Sequence, residues 1–174
     1  IADLVEAAGI GMPALTIVGE VVRLREQLRW FDTMPLFGKR VLVTQAREFM
    51  GPVLCSVLAE AGADVVADDS SLIDPGAPAA IVARTGRVDV LVANLAFAAP
   101  TTRAHDVADE EWQAAFSHLV DPLPRLVRAV LPQMIERRSG KILLIGSAAA
   151  LRGMKRASTY SAARGAQLAY VQSV

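Results

Sequence analysis

Four short apolar runs, VLVT (41–44), ADVVA (63–67), VDVLVAN (88–94) and KILLIGS (141–147), recur from residue 41 onward. Each is rich in β-branched side chains and nearly free of polar alternation, the pattern of a strand buried on both faces of a parallel sheet. Between and after them the periodicity turns helical, at about 51–61, about 77–85, over a long stretch from 109 to 136, and from about 157 onward. Strand and helix in strict alternation predict an α/β fold with a doubly wound parallel sheet. Pro122 and Pro124 are expected to bend the long helix.

The first forty residues read differently. ADLVEAA (2–8) has helical spacing, ALTIVGEVV (14–22) reads as a short buried strand, and VRLREQLRWF (22–31) as a basic amphipathic helix. TMPLFGKR (33–40), with Pro35 and Gly38, reads as a linker, so residues 1–40 form a helix-strand-helix appendage and 41–174 the main domain. The chain opens at Ile1 without a methionine and closes at Val174 inside LAYVQSV, which carries no stop signal; it reads as a fragment at both ends.

Charge and composition narrow the partners. Hydrophobic residues make up 53% of the 174, enough for one core, and 18 basic residues balance 18 acidic ones. A balanced chain has no field to draw it to nucleic acid or to an anionic membrane, and no run reaches the roughly 20 apolar residues of a membrane span. The single cysteine, Cys55, sits in VLCSVL and is expected to be buried filler in a reducing, cytoplasmic setting. His105 and His118 fit no metal-ligand spacing, so no metal is expected. Met154, Lys155 and Arg156 read as loop or subunit surface.

The chemistry concentrates at two strand ends. Ser147 ends the last apolar run, Tyr160 follows thirteen residues later, and Arg164 comes four further on. Residues four apart share a helix face, so Tyr160 and Arg164 can both face Ser147 at the carboxyl end of the sheet. A guanidinium beside a phenol favours the phenolate by charge, and a serine hydroxyl can hold a substrate oxygen, which together make an acid/base device. After the first strand the turn reads Thr44, Gln45, Ala46, Arg47, Glu48, Phe49, Met50, Gly51. That is where a dinucleotide-binding fold sets its glycine loop, yet only Gly51 is glycine. Asp68 follows the second strand, where an acidic residue can hold a ribose, although acidic pairs at strand ends are commonly solvated loop residues. Asn94 is expected to fasten neighbouring strand ends through its side chain.

On these motifs, residues 41–174 resemble the short-chain dehydrogenase/reductase superfamily, which implies a Rossmann-like sheet. Within it, Ser147, Tyr160 and Arg164, together with Thr44, Phe49 and Gly51, resemble the halohydrin dehalogenase branch, which carries Ser-x12-Tyr-x3-Arg and Thr-x4-Phe/Tyr-x-Gly. Leu119 falls where dehydrogenases carry an asparagine, and Arg164 where they carry a lysine. The resemblance implies a lyase that closes vicinal halohydrins to epoxides and releases halide with no cofactor. Ser147, Tyr160 and Arg164 are then catalytic, and Thr44, Phe49 and Gly51 belong to the substrate and halide pocket. Its partners are a small molecule and a halide, with tetramers common in the superfamily. The alternative is an NAD- or NADP-dependent oxidoreductase holding its cofactor with Thr44, Gly51, Asp68 and Asn94. A third reading is an inactive fragment or chimera. PALTIVGEVVRLRE and PLFGKRVLVT in the opening segment resemble the tail and linker of uroporphyrinogen-III C-methyltransferase/synthase fusions, with Pro13 and Ala14 near an adenosine pocket there. That match carries no methyltransferase activity to this chain.

Overall fold

The computed structural model describes residues 7–9 and 17–174, which fall into two units, the first ending at Thr33 and the second running Met34–Val174. The expected helix at 2–8 lies outside the described residues except for Ala7 and Ala8, as do Pro13, Ala14 and the start of the expected strand at 14–22. Within the first unit, residues 17–19 are irregular and Glu20–Glu26 is a 3-10 helix, so neither the described part of that strand nor the full helix at 22–31 forms. The helix buries none of its residues, and Val21, Val22 and Leu24 stay exposed. Without a packed apolar face, a short amphipathic segment has little to hold regular α structure. Pairs Arg23–Glu20 and Arg25–Asp32, both 2.9 Å, lace its surface.

In the second unit the segment read as a linker is tied to the domain. The Leu36 amide donates to the Ala61 carbonyl (3.0 Å) and the Asp64 amide to the Lys39 carbonyl (2.9 Å), which places Pro35 and Gly38 inside the fold.

Four parallel strands, β1 (Arg40–Thr44), β2 (Asp64–Asp68), β3 (Val90–Ala93) and β4 (Lys141–Leu144), lie in the order β2-β1-β3-β4. Helices follow each strand: α1 (Gly51–Glu60), α2 (Ala77–Thr85), α3 (Asp109–Leu119) with α4 (Pro122–Glu136), and α5 (Ala149–Arg152) with α6 (Ser158–Gln172). The period of two along each strand divides the core. Val41, Val43, Val90 and Val92 pack on one face with Leu54, Cys55 and Leu58 of α1. Leu42, Leu91 and Ala93 face the other, against Ile81, Leu119, Leu126, Val130 and Ala163 from four helices. Each fully buried Leu or Val contributes about 1.5–3 kcal/mol, which is what fixes β1 and β3 at the centre.

The helix expected over 109–136 is two. Pro122 has no N–H to give and its ring crowds the carbonyl four residues back, so α3 stops at Leu119 and α4 starts afresh. Cys55 is half-buried rather than buried; burial, and then the nearby Asp69 carboxylate, push its thiol up. At the amino end of the sheet, burial alone would push the Asp89 carboxyl up. Hydrogen bonds from Arg87 and from the Arg40 amide, with the charges of Arg87 and Lys39, outweigh it and hold the group below the ordinary carboxylate range.

Candidate active site

In the order β2-β1-β3-β4 the chain leaves β1 toward one side and returns to the other, so the loops after β1 and β3 part at a switch point above the carboxyl ends. Open α/β sheets place ligands in that crevice. Here it holds a cavity of about 170 Å³ lined by Phe49 and Met50 from the β1 loop, Asn94 to Phe97 after β3, Ile145 to Ser147 after β4, and Tyr160 and Arg164 of α6.

The β1 loop carries side-chain-bearing residues in backbone that favours glycine, and keeps one glycine, Gly51. Gln45 and Phe49 have φ of 45° and 49°, the left-handed region that costs a side-chain-bearing residue about 1–2 kcal/mol. Surrounding bonds hold them there. Asn94 Nδ2 donates to the carbonyls of Gln45 (2.8 Å) and Glu48 (3.0 Å), and Gln45 Oε1 accepts from the Ala96 amide. The Ala46 amide donates to the Asp68 carbonyl (3.2 Å) and the Arg47 amide to Asp69 Oδ1 (2.7 Å). Asn94 thus fastens β1 to β3 as its position suggested. Phe49 is 67% exposed and lines the cavity. Gly51 opens α1 so close to Ala46 that any Cβ would overlap that carbonyl.

Of the residues singled out, Ser147, Tyr160, Arg164, Phe49 and Asn94 share the cavity wall. Thr44 and Gly51 do not; both are buried beneath the loop, and Thr44 Oγ1 has no partner among the described residues. Asp68 is also away from the cavity. It is buried instead of solvated, paired with Arg84 and accepting from the Ser70 amide (2.9 Å), so its carboxylate is engaged. His118 lies on α3 with Nδ1 2.8 Å from the Ala114 carbonyl, and no His/Cys/Asp/Glu cluster among the described residues could hold a metal. Met154, Lys155 and Arg156 are exposed.

Ser147 Oγ accepts from the Ala149 amide (3.2 Å), which starts the short helix α5 and leaves the hydroxyl proton free to donate. Arg164 is 7% exposed and its guanidinium carbon lies 5.1 Å from the Tyr160 ring centroid, a cation–π contact with the ring. Its nitrogens are turned inward. Nη1 donates to the Ile145 carbonyl (3.0 Å) and Gln167 Oε1 (2.9 Å), and Nη2 to the Leu95 carbonyl (3.1 Å). Three of its five N–H groups are spent in this way, while Nε is buried with no partner among the described residues, so the fork is held at both ends as a lysine ammonium would not be. Gln167, 1% exposed, escaped the sequence reading; its signal was one amide among the small and apolar residues one turn after Arg164.

Of the residues a dinucleotide would meet, Phe49 stands in the β1 loop, Asp68 is paired with Arg84, and Arg164 donates to the Ile145 and Leu95 carbonyls.

A short chain dehydrogenase family profile matches residues 75–174. The uncharacterized oxidoreductase YvaG of Bacillus subtilis is 30% identical over 165 residues, 80% of this chain and 62% of that protein. This chain therefore spans less than two thirds of that relative's length. Among solved structures, one described as a dehalogenation enzyme is 28% identical, with a TM-score of 0.70 over 79% of this chain and 65% of its own. A gluconate 5-dehydrogenase from Burkholderia cenocepacia, in complex with NADP and tartrate, is 25% identical with a TM-score of 0.74, over 82% and 67%. The Rossmann-like sheet is shown by these likenesses. The names weigh toward the oxidoreductase alternative and toward NAD(P), and they do not support the expectation of no cofactor. A siroheme synthase of Vesicomyosocius okutanii matches over 38 residues at 53% identity, only 22% of this chain and 8% of that protein.

Proposed function

The chain belongs to the short-chain dehydrogenase family, and from that premise we propose that Tyr160, Ser147 and Arg164 move a proton at the hydroxyl of a small alcohol, and that the alcohol is a vicinal halohydrin. The observation that carries the finer reading is Phe49, which lines the same cavity as the three.

On this reading the Ser147 hydroxyl donates to the substrate oxygen and Tyr160 Oη, as phenolate, takes its proton. The alkoxide attacks the neighbouring carbon, forming the C–O bond of an epoxide as the C–halogen bond breaks and the halide leaves with its electron pair. The proton on Tyr160 returns to solvent. No electrons change hands between molecules, so no redox partner is required. Displacement within one molecule gains from proximity, and the cavity serves to hold the reacting carbon and oxygen close. Phe49 lines that cavity, and the positive rim of an aromatic quadrupole is the part of such a ring that attracts an anion. The opening segment is proposed as a remnant like the tail of a tetrapyrrole methyltransferase, with no activity of its own.

A second reading, an NAD(P)-dependent oxidoreductase using Thr44, Gly51, Asp68 and Asn94, is favoured by the names of the relatives. Thermal unfolding separates the two, since a ligand at 100 times its Kd stabilises by about 2.7 kcal/mol. Bromide at matched ionic strength is expected to raise Tm by several degrees, and millimolar NADH or NADPH to leave it unchanged. A rise with either nicotinamide and none with bromide would reverse the order of the readings.

A further inference from the structure

Gln167 makes two hydrogen bonds, each to a group that matters elsewhere. Its Oε1 accepts from Arg164 Nη1 at 2.9 Å, and its Nε2 donates to the Leu119 carbonyl at 2.5 Å. Leu119 is the last residue of α3, and a helix leaves its final carbonyls without intrahelical partners. Buried, such a carbonyl needs a donor, as does the guanidinium an acceptor. One amide answers both, at 1% exposure, in a face otherwise made of Ala163, Leu119 and their apolar neighbours.

We propose that Gln167 is a positioning residue: it locks the Arg164 guanidinium between the Ile145 and Leu95 carbonyls and over the Tyr160 ring, and references that placement to the end of α3. Nη1 spends one proton on Ile145 and the other on Gln167, so the amide removes the rotation about Cζ–Nη1 that a single bond would leave open. The catalytic importance of this rests on the reading of Tyr160 and Arg164 as a proton-transfer pair; the placement itself does not.

Gln167→Met keeps the length and apolar volume of the side chain and removes both bonds. In the unaltered protein the Arg164 Nη protons are expected as separate, slowly exchanging NMR signals, identified by their loss in Arg164→Lys. In Gln167→Met they collapse to one averaged signal, and kcat for the halohydrin falls about 10- to 100-fold with KM held within about twofold. Gln167→Asn, one methylene too short to span both partners, is read in the same way if the methionine variant does not fold. Signals that stay separate in a folded variant, or an unchanged kcat, would overturn the proposal. If the unaltered protein releases no halide, the functional reading falls while the NMR signals still decide the role of Gln167.

Discussion

On the proposed halohydrin reading, Tyr160→Phe is expected to abolish halide release, by at least 100-fold in kcat, while Tm moves by no more than about 2 °C. General acid–base groups contribute about 10²–10⁴ in rate, and the phenol oxygen is the only atom this substitution removes. The remainder of the side chain is held by forces the change does not touch. Its ring packs against the main core cluster and lies under the Arg164 guanidinium, and no hydrogen bond of the fold depends on the hydroxyl among the described residues. Loss of the reaction with retained melting therefore assigns the oxygen to chemistry and the ring to packing. Halide release that survives in the folded variant would remove Tyr160 from the mechanism.

Gly51→Ala is expected to be the most damaging small substitution in the β1 loop, costing about 2–4 kcal/mol. The added methyl group overlaps the backbone of Ala46, and backbone cannot rotate away as a side chain tip can. Nor can Ala46 shift freely. It sits one residue from the Gln45 carbonyl held by Asn94, its own amide is bonded to Asp68, and its neighbour Arg47 is bonded to Asp69. At about 2–4 °C per kcal/mol for a chain of this size, Tm should fall by about 5–15 °C in a thermal melt. A melt within about 2 °C of the unaltered protein would show that the loop yields where the bonds say it is fixed.

The central sheet was legible because burial on both faces selects continuous β-branched runs, and VLVT and VDVLVAN have no other use for such composition. What proline does to a helix was legible in kind but not in degree: Pro122 ends α3 outright where a bend was expected. The β1 loop was the hardest part. Gln45 and Phe49 give no local hint of left-handed backbone, since neither prefers it, and distant partners hold the loop: Asn94 and Ala96, about fifty positions on, with Asp68 and Asp69. Asp68 hid for a related reason. It is buried and paired with Arg84 on α2, a partner that no spacing in the sequence connects to it. Arg164 is legible as a charge four residues from a phenol, and its guanidinium carbon does lie 5.1 Å from the Tyr160 ring centroid. Its inward bonds to Ile145 and Leu95 could not be read, because backbone carbonyls look the same in every residue.

The central proposal is that the cavity shared by Ser147, Tyr160, Arg164 and Phe49 serves intramolecular displacement. The direct measurement is turnover of a small vicinal bromohydrin by the protein with no nicotinamide present, counting bromide and epoxide released. The account predicts both in equal amounts, at a rate unaffected by added NADH or NADPH. Turnover of the corresponding alcohol or ketone only when a nicotinamide is supplied, with no bromide released, would contradict it.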